Sequence, residues 1–370
     1  MTQEEYNYWL ANISGIGLKK IGYLLKYFES AKAIYHAPEG ELEKFMEVCD
    51  GPHSFRKSDI NTIISSRDEE KIQNNYAKLI KNGIYFVSRE DEHYPAKLRN
   101  IYESPFGLYY KGRLPREEEK LLAVVGAREC SPYGKEMAKY FASCIAKEGV
   151  TIISGLARGV DSYAHEGALI SEGLTYAVLG CGIDICYPRE NINLYRELEQ
   201  CGGILSEYPP GAKPLAGNFP MRNRIISGLC DGIFVIEAKE KSGSLITVDM
   251  GLEQGKDIYA LPGRAKDALS EGCNNLIKMG AKLVTEPKDI LEDLIPNYEQ
   301  KGDVDKKINK ILETNGKIVY ACLSLQPMHI EEISLRTGFS IDTLMEQLLV
   351  LELRGFVTQT TKNYYITHGL

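Results

Sequence analysis

Between residues 121 and 294, short and nearly unbroken apolar runs alternate with stretches whose apolar residues recur every three or four positions. LLAVV, VTIIS, LTYAVLG, GGILSE, GIFVIEA, DIYALPG and AKLVT read as strands, KEMAKYFASCIAKEG and SLITVDMGLEQG as helices. A strand that is apolar at consecutive positions, not at every second one, is covered on both faces. The pattern therefore predicts an α/β domain over residues 76–300, a Rossmann-like, doubly wound and mostly parallel sheet. Residues 1–75 are helical in character, with YWLANI, ISGIG and LKKIGYLLKYF. The segment Lys81–Gly112 carries short aromatic-rich runs and prolines that lead into the sheet. After the polar, proline-containing IPNYEQKGD, residues 304–370 show helices over DKKINKILETNGK, HIEEISLRTG and SIDTLMEQLLVLELRG, and FVTQTTKNYYIT closes as two short strands. Helix, turn, helix and β-ribbon together predict a winged helix.

Composition narrows the function classes. The 370 residues leave room for two or three domains with a large core, and 44% hydrophobic with 26% charged residues is ordinary for a soluble fold. A net charge of −7 excludes a surface coated in positive charge, so any nucleic-acid contact must come from a local basic patch. The opening MTQEEYNYWLANISGIG has no apolar core of a secretory signal, and no apolar run reaches about 18 residues. A cytoplasmic protein without a membrane contact is expected. The nine cysteines contain no CxxC pair, which points to reduced thiols. Six scattered histidines make no HxxxH or HExxH, and no GxSxG occurs, so neither metal, cofactor nor catalytic triad is expected.

The strand ends carry the chemistry. In open α/β sheets, a strand that stops at a glycine and hands over to a helix turns backbone amides and a helix N-terminus towards an anion. Within GARECSPYG, Gly126 permits the turn, and Arg128 and Ser131 can donate to a phosphate, unless the arginine pairs with a surface acid. Within SGLARGVDSYAHEGAL, Ser154, Gly155 and Arg158 repeat the arrangement, while Asp161 and His165, four apart on a helix, read as structural. In FPMRNRIISGL, Arg222, Asn223 and Arg224 sit close together beside a helix. They either grip an anion or form buried ion bridges to Glu207 and Glu237, with one arginine for each role as a third reading. In EAKEKSGSLIT, Ser242, Gly243, Ser244 and Thr247 open a helix with free amides and hydroxyls, and Lys256 and Arg264 add charge farther on. Several such corners on one sheet edge predict a polyphosphate ligand, either a nucleotide or a nucleic-acid backbone.

At the N-terminus, LANISGIGLKKIGYLLKYF resembles a helix-hairpin-helix (SAM-like) element. Its Gly15-Ile16-Gly17 hairpin would either present amides to a DNA phosphate or serve as packing.

Taken in order, VGARECSPYG, SGLARGVDSYAHEGAL, TYAVLGCGIDICYPRE, SEYPPG, FPMRNRIISGL, EAKEKSGSLIT, ALPGR and GCNNLIKMGAKLV resemble the DNA-processing protein A (DprA/Smf) family, as do DEHYPAKL and the winged-helix pattern. The resemblance implies a cytoplasmic homodimer that binds single-stranded DNA without sequence preference, protects incoming DNA and loads the RecA recombinase during natural transformation, without catalysis. It places the phosphate-contacting pocket at Gly126, Arg128 and Ser131, with Ser154, Gly155 and Arg222-Asn223-Arg224 nearby. Arg189, Lys213, Lys256 and Arg264 would extend the groove, and Tyr133, Tyr187, Tyr208 or Phe219 would stack bases. In PLAGNFP, Ala216 and Gly217 leave one loop without a basic side chain that some relatives carry.

Two rival classes remain in view. The sheet and SGSLITVDMGLEQG resemble, more distantly, nucleotide phosphoribohydrolases with PGGxGTxxE, but Met250 stands where that chemistry needs a glutamate. A transcription regulator would read DNA with SIDTLMEQLLVLELRG, which carries several acids and only Arg354 as a base.

Overall fold

A computed structural model of the chain describes residues 1–49, 55–296, 298, 314–324 and 326–367. The first helix, α1 (Gln3–Ala11), starts at a capping box: the Thr2 hydroxyl accepts from the Glu5 amide, and the Glu5 carboxylate accepts from the Thr2 amide. It is followed by α2 (Leu18–Phe28), α3 (Ala31–His36), α4 (Glu39–Val48), α5 (Lys57–Ser65) and α6 (Glu69–Lys81). Their inward faces, among them Trp9, Leu10, Leu24, Ile34, Leu42 and Ile60, build one core that also takes in Phe106.

Then come β1 (Tyr85–Ser88), α7 (Ala96–Arg99), β2 (Gly107–Gly112), β3 (Leu121–Val125), α8 (Pro132–Lys147), β4 (Thr151–Ser154), α9 (Val160–Ile170), β5 (Thr175–Leu179), α10 (Ile192–Leu198), β6 (Gly202–Ser206), α11 (Asn218–Leu229), β7 (Gly232–Val235), α12 (Gly243–Glu253), β8 (Asp257–Ala260), α13 (Glu271–Lys278), β9 (Lys282–Leu283) and α14 (Lys288–Leu294). Each apolar run read as a strand contains one. The nine-stranded sheet runs β1-β2-β6-β5-β4-β3-β7-β8-β9. β1 and β2 pair antiparallel, and β2 joins β6 antiparallel; from β6 to β9 every pairing is parallel. The parallel strands β3 to β7 are buried at every position, as their uninterrupted apolar runs require.

β3 lies between β4 and β7, so the chain winds outward from β3 on one side, returns through α11, and winds outward on the other. That reversal is the topological switch point, where the two neighbouring crossovers leave a crevice beyond the strands' carboxyl ends.

The expected boundary at 75/76 falls inside α6. Helices and sheet are joined there: Asn7 Nδ2 donates to Ser88 Oγ at 2.8 Å, and the Tyr109 hydroxyl donates to Asn12 Oδ1 at 2.8 Å. Both belong to one compact unit, Met1–Pro296, with a second over Asn297–Leu370.

The second unit contains α15 (Thr314–Cys322), β10 (Met328–His329), α16 (Ile330–Thr337), α17 (Ile341–Leu353), β11 (Val357–Thr361) and β12 (Tyr364–Thr367), with strand order β10-β12-β11. This is a winged helix. Of the helix expected over residues 305–317, positions 305–313 lie outside the described residues, and α15 covers the rest and continues to Cys322. α16 stops because Gly338 takes a left-handed conformation (φ +75°), and its amide caps the Ser334 carbonyl at 2.8 Å.

Candidate nucleic-acid interface

A cavity of about 610 Å³ opens at the switch point. The loop after β3 supplies Gly126 and Arg128, the loop after β4 supplies Ala157, and α11 supplies Phe219, Arg222 and Asn223. The loop after β7 and the start of α12 supply Lys239, Lys241, Ser242, Gly243, Ser244 and Thr247. Arg128 is exposed and its guanidinium carbon stands 5.7 Å from the centre of the Phe219 ring. Tyr187, 45% exposed, lies 5.5 Å from Phe219 at an interplanar angle of 39°. Among the described residues, no carboxylate forms an ion pair with Arg128, Lys239 or Lys241. Of the exposed charged residues that line the cavity, Arg128, Lys239 and Lys241 are cationic and Glu129 is anionic, so the mouth is net cationic as well as aromatic, although the whole chain is acidic.

Two of the glycine corners already hold an anion, and it is the protein's own. At the N-terminus of α8, the Glu237 carboxylate accepts from the Ser131 amide at 2.8 Å and from the Ser131 hydroxyl at 2.5 Å. A Cβ on Gly134 would overlap that carboxylate, so the glycine is what lets it approach. Ser131 also accepts from the Gly134 amide at 3.1 Å as the N-cap of α8. At the β4 corner, the Asp161 carboxylate accepts from the Gly155 amide at 3.1 Å. Ser154 is fully buried and donates to the Val124 carbonyl at 2.6 Å. The expectation that Ser131, Ser154 and the Gly155 amide face a phosphate is thus corrected: internal carboxylates and carbonyls occupy them.

Arg222 is buried and donates to the carbonyls of Gly155, at 2.9 Å, and Val178, with Nε on Asn223 Oδ1 at 3.1 Å. Burial lowers its pKa to about 10 despite the opposing pull of Asp161. Burial likewise raises Asp161, while the Arg222 charge and the Gly155 and Ala157 amides pull it down. A Cβ on Gly155 would collide with the guanidinium of Arg222. Arg222 therefore forms the cavity floor and fixes the corner around it.

Other expected residues lie elsewhere. Arg224 is buried on the opposite face of α11, bidentate to Glu207 at 2.7 and 2.8 Å, with Nε on the Glu103 carbonyl at 2.9 Å. It lines separate clefts with Glu103 and Met221. Its role is the buried ion bridge, and Glu237 is held by Ser131 and not by an arginine. Arg158 points to solvent and forks onto Glu190, which raises its pKa through that bond. Lys256 precedes β8, at the amino end of the sheet, and donates to the Gly228 carbonyl at 3.4 Å. It is at the wrong end of the strand for this cavity. Arg189, which opens a short 3-10 helix, and Lys213 and Arg264, on loops after strands, are exposed but do not line the cavity; Tyr187 and Pro214, close in sequence to the first two, do. Tyr208 lines a separate cleft, and Tyr133 is exposed outside the cavity.

The two lysines that sequence reasoning missed, Lys239 and Lys241, are exposed in the loop before α12 and line the cavity. Ser242 caps that helix, and its first turn holds no acid. Their signal was position: both lie in the loop between β7 and the Ser242-Gly243-Ser244 turn. No helix among the described residues is long and apolar enough to cross a membrane, and no group of His, Cys, Asp and Glu there could hold a metal.

The fold and cavity define a class, the doubly wound α/β proteins with a basic rim at the switch point, here joined to a winged helix. Residues 85–295 match the family model for DNA recombination-mediator protein A, and residues 311–361 match that for the DprA winged helix domain. The chain belongs to the DNA recombination-mediator protein A (DprA/Smf) family. It is 38% identical over 309 residues to Protein Smf of Escherichia coli, covering 80% of each chain. It is 46% identical over 203 residues to DNA processing protein DprA of Streptococcus pneumoniae, covering 55% of this chain and 72% of that one. The X-ray structure of the pneumococcal protein superposes with a TM-score of 0.68 at 36% identity, over 80% of this chain and 98% of that one. DNA processing protein A from Helicobacter pylori, solved for its single-stranded DNA binding mode, superposes with a TM-score of 0.52 at 30% identity, over 58% of this chain and 97% of that one.

Proposed function

We propose that this protein binds single-stranded DNA, without sequence preference, across the switch-point rim. Arg128, Lys239 and Lys241 would neutralise successive phosphates, and the Gly243 amide at the start of α12, beside the Ser244 amide already capped by Ser242, would receive one of them. Phe219 and Tyr187 would stack bases, which serves any sequence because every base has a π-face. Gly126, Arg222 and Asn223 would shape the floor, and Arg189, Lys213 and Arg264 would extend the track along the rim. The observation that carries this reading is the exposed, unpaired Arg128 poised over Phe219 beside Tyr187. A flexible strand can bring phosphate and base to such a pair together, whereas a duplex keeps its bases stacked inside.

The bound protein would act as a cytoplasmic mediator that protects incoming DNA and loads RecA recombinase during natural transformation, as a homodimer and without catalysis. The family's description as a DNA recombination mediator supports the mediator role, and the Helicobacter pylori relative's single-stranded DNA binding supports the strand as ligand. Against hydrolysis of nucleotides, Met250 and Glu253 lie along a separate cleft with Lys256, away from the rim.

The test is an anisotropy titration of a labelled oligonucleotide at two salt concentrations, with unlabelled single- and double-stranded competitors. Single strands should displace the probe far better than duplex. Equal displacement by duplex, or robust release of free base from AMP, would overturn the proposal.

A further inference from the structure

The second unit contains a helix whose apolar residues extend from its buried face onto an exposed flank. Leu344, Leu348 and Leu351 of α17 are fully buried in the core of the winged helix. Along the adjoining flank Ile341, Met345, Leu349 and Leu353 recur every four residues and form a continuous stripe, exposed by 42, 47, 57 and 80%. Four large apolar side chains in line are a patch, not scattered surface residues, and such a patch rimmed by polar residues marks an interaction site. In DNA-reading winged helices this position carries basic or amide side chains. Here Asp342, Glu346 and Glu352 are exposed beside the stripe, and the helix's one base, Arg354, lies at its C-terminal end.

We infer that the stripe on α17 docks an amphipathic helix of a partner protein, apolar along one face and flanked by lysines or arginines. The apolar face would cover Met345 and Leu349 at the centre, and its basic flanks would meet the three carboxylates at the rim. Charge decides against the other occupants. DNA would bring phosphates against those acids. A second copy paired antiparallel about the middle of the stripe would set Asp342 against Glu352, and a parallel pair would set each acid against its own duplicate. The inference does not rest on the function proposed for the switch-point rim.

The probe is a short, fluorescein-labelled peptide of leucines and lysines in helical heptads, with a counterpart bearing glutamate in place of lysine. Both are titrated against the full-length chain and against Met345→Ser/Leu349→Ser, with Leu353→Ser as a milder second variant. The lysine peptide should bind saturably, at least about tenfold more tightly than the glutamate peptide, and the double variant should lose at least about tenfold with an unchanged melting temperature. Equal binding of both peptides, or no change in the variants, would overturn the inference. So would a fall in sedimenting mass in the double variant, which would assign the stripe to a second copy, or a tenfold loss of single-strand affinity, which would assign it to DNA.

Discussion

The carboxylate of Glu237 sits on the amide and hydroxyl of Ser131, at 2.8 and 2.5 Å, where a helix N-terminus would otherwise receive an external anion. It ties the loop after β7 to the start of α8 and so fixes the width of the crevice between β3 and β7. Ser131→Ala should therefore destabilise the fold, by roughly 1–3 kcal/mol for the lost cap and charge-assisted bond. It should leave single-strand affinity within about twofold. Urea unfolding and anisotropy on the same preparation check this; a stable variant with weakened binding would return Ser131 to the ligand.

Arg128 and Arg224 should separate cleanly. Arg128→Ala removes an exposed charge, so affinity should fall roughly tenfold and the salt slope by about 0.7, with stability unchanged. Arg224→Ala leaves Glu207 without its bidentate partner and should cost about 3 kcal/mol. That is the lower end for a buried pair, because Glu207 keeps 21% of its side-chain surface in solvent. The Arg224 variant should bind DNA normally under conditions where it stays folded. A normal salt slope in Arg128→Ala would remove that residue from the interface.

These two residues also show where sequence reading runs out. Uninterrupted runs such as LLAVV and VTIIS identify their strands because burial on both faces leaves no polar position in them. The switch-point crevice follows from the alternation of strands and helices. What the pattern cannot show is which anion fills a corner. Ser131, Ser154 and Gly155 have the residue types of a phosphate site, but Glu237 and Asp161 reach two of those corners through the fold, over 106 residues in the first case. Arg222 and Arg224 are two apart on one helix and so point to different faces, one to the cavity and one to Glu207. Lys239 and Lys241 were overlooked because, away from the fold, two lysines beside two glutamates in EAKEK look like an ordinary solvated loop.

Lys239→Ala and Lys241→Ala should each lower the salt slope of single-strand binding by roughly 0.7, equally for all sequences, since each would neutralise one phosphate. Phe219→Ala should cost roughly 1–3 kcal/mol of binding with the slope unchanged, because stacking releases no counterions. Salt titrations of the three variants distinguish charge from stacking. A slope change in Phe219→Ala would mean that Arg128 had lost its position along with its ring.

His165 gives the fold a pH dependence of known sign. It is fully buried on α9, its Nδ1 2.7 Å from Thr175 Oγ1, and its Nε2 has no hydrogen-bond partner. Burial, with the Arg222 charge adding to it, holds its pKa down to about 3, so the folded protein keeps it neutral. The unfolded chain takes up a proton near pH 6.5. The contribution of His165 is thus fully present above that pH and is lost as pH falls from about 6.5 towards 3, by up to ~1.4 kcal/mol per pH unit. Asp161 and Glu207, raised by burial, act with the opposite sign, so the comparison must be between chains and not between pH values alone. His165→Gln keeps a polar group near Thr175 and cannot take up a proton. Its urea midpoint should fall less steeply than that of the unaltered protein between pH 7 and 4.5, and parallel curves would show that His165 is not held neutral in the folded state.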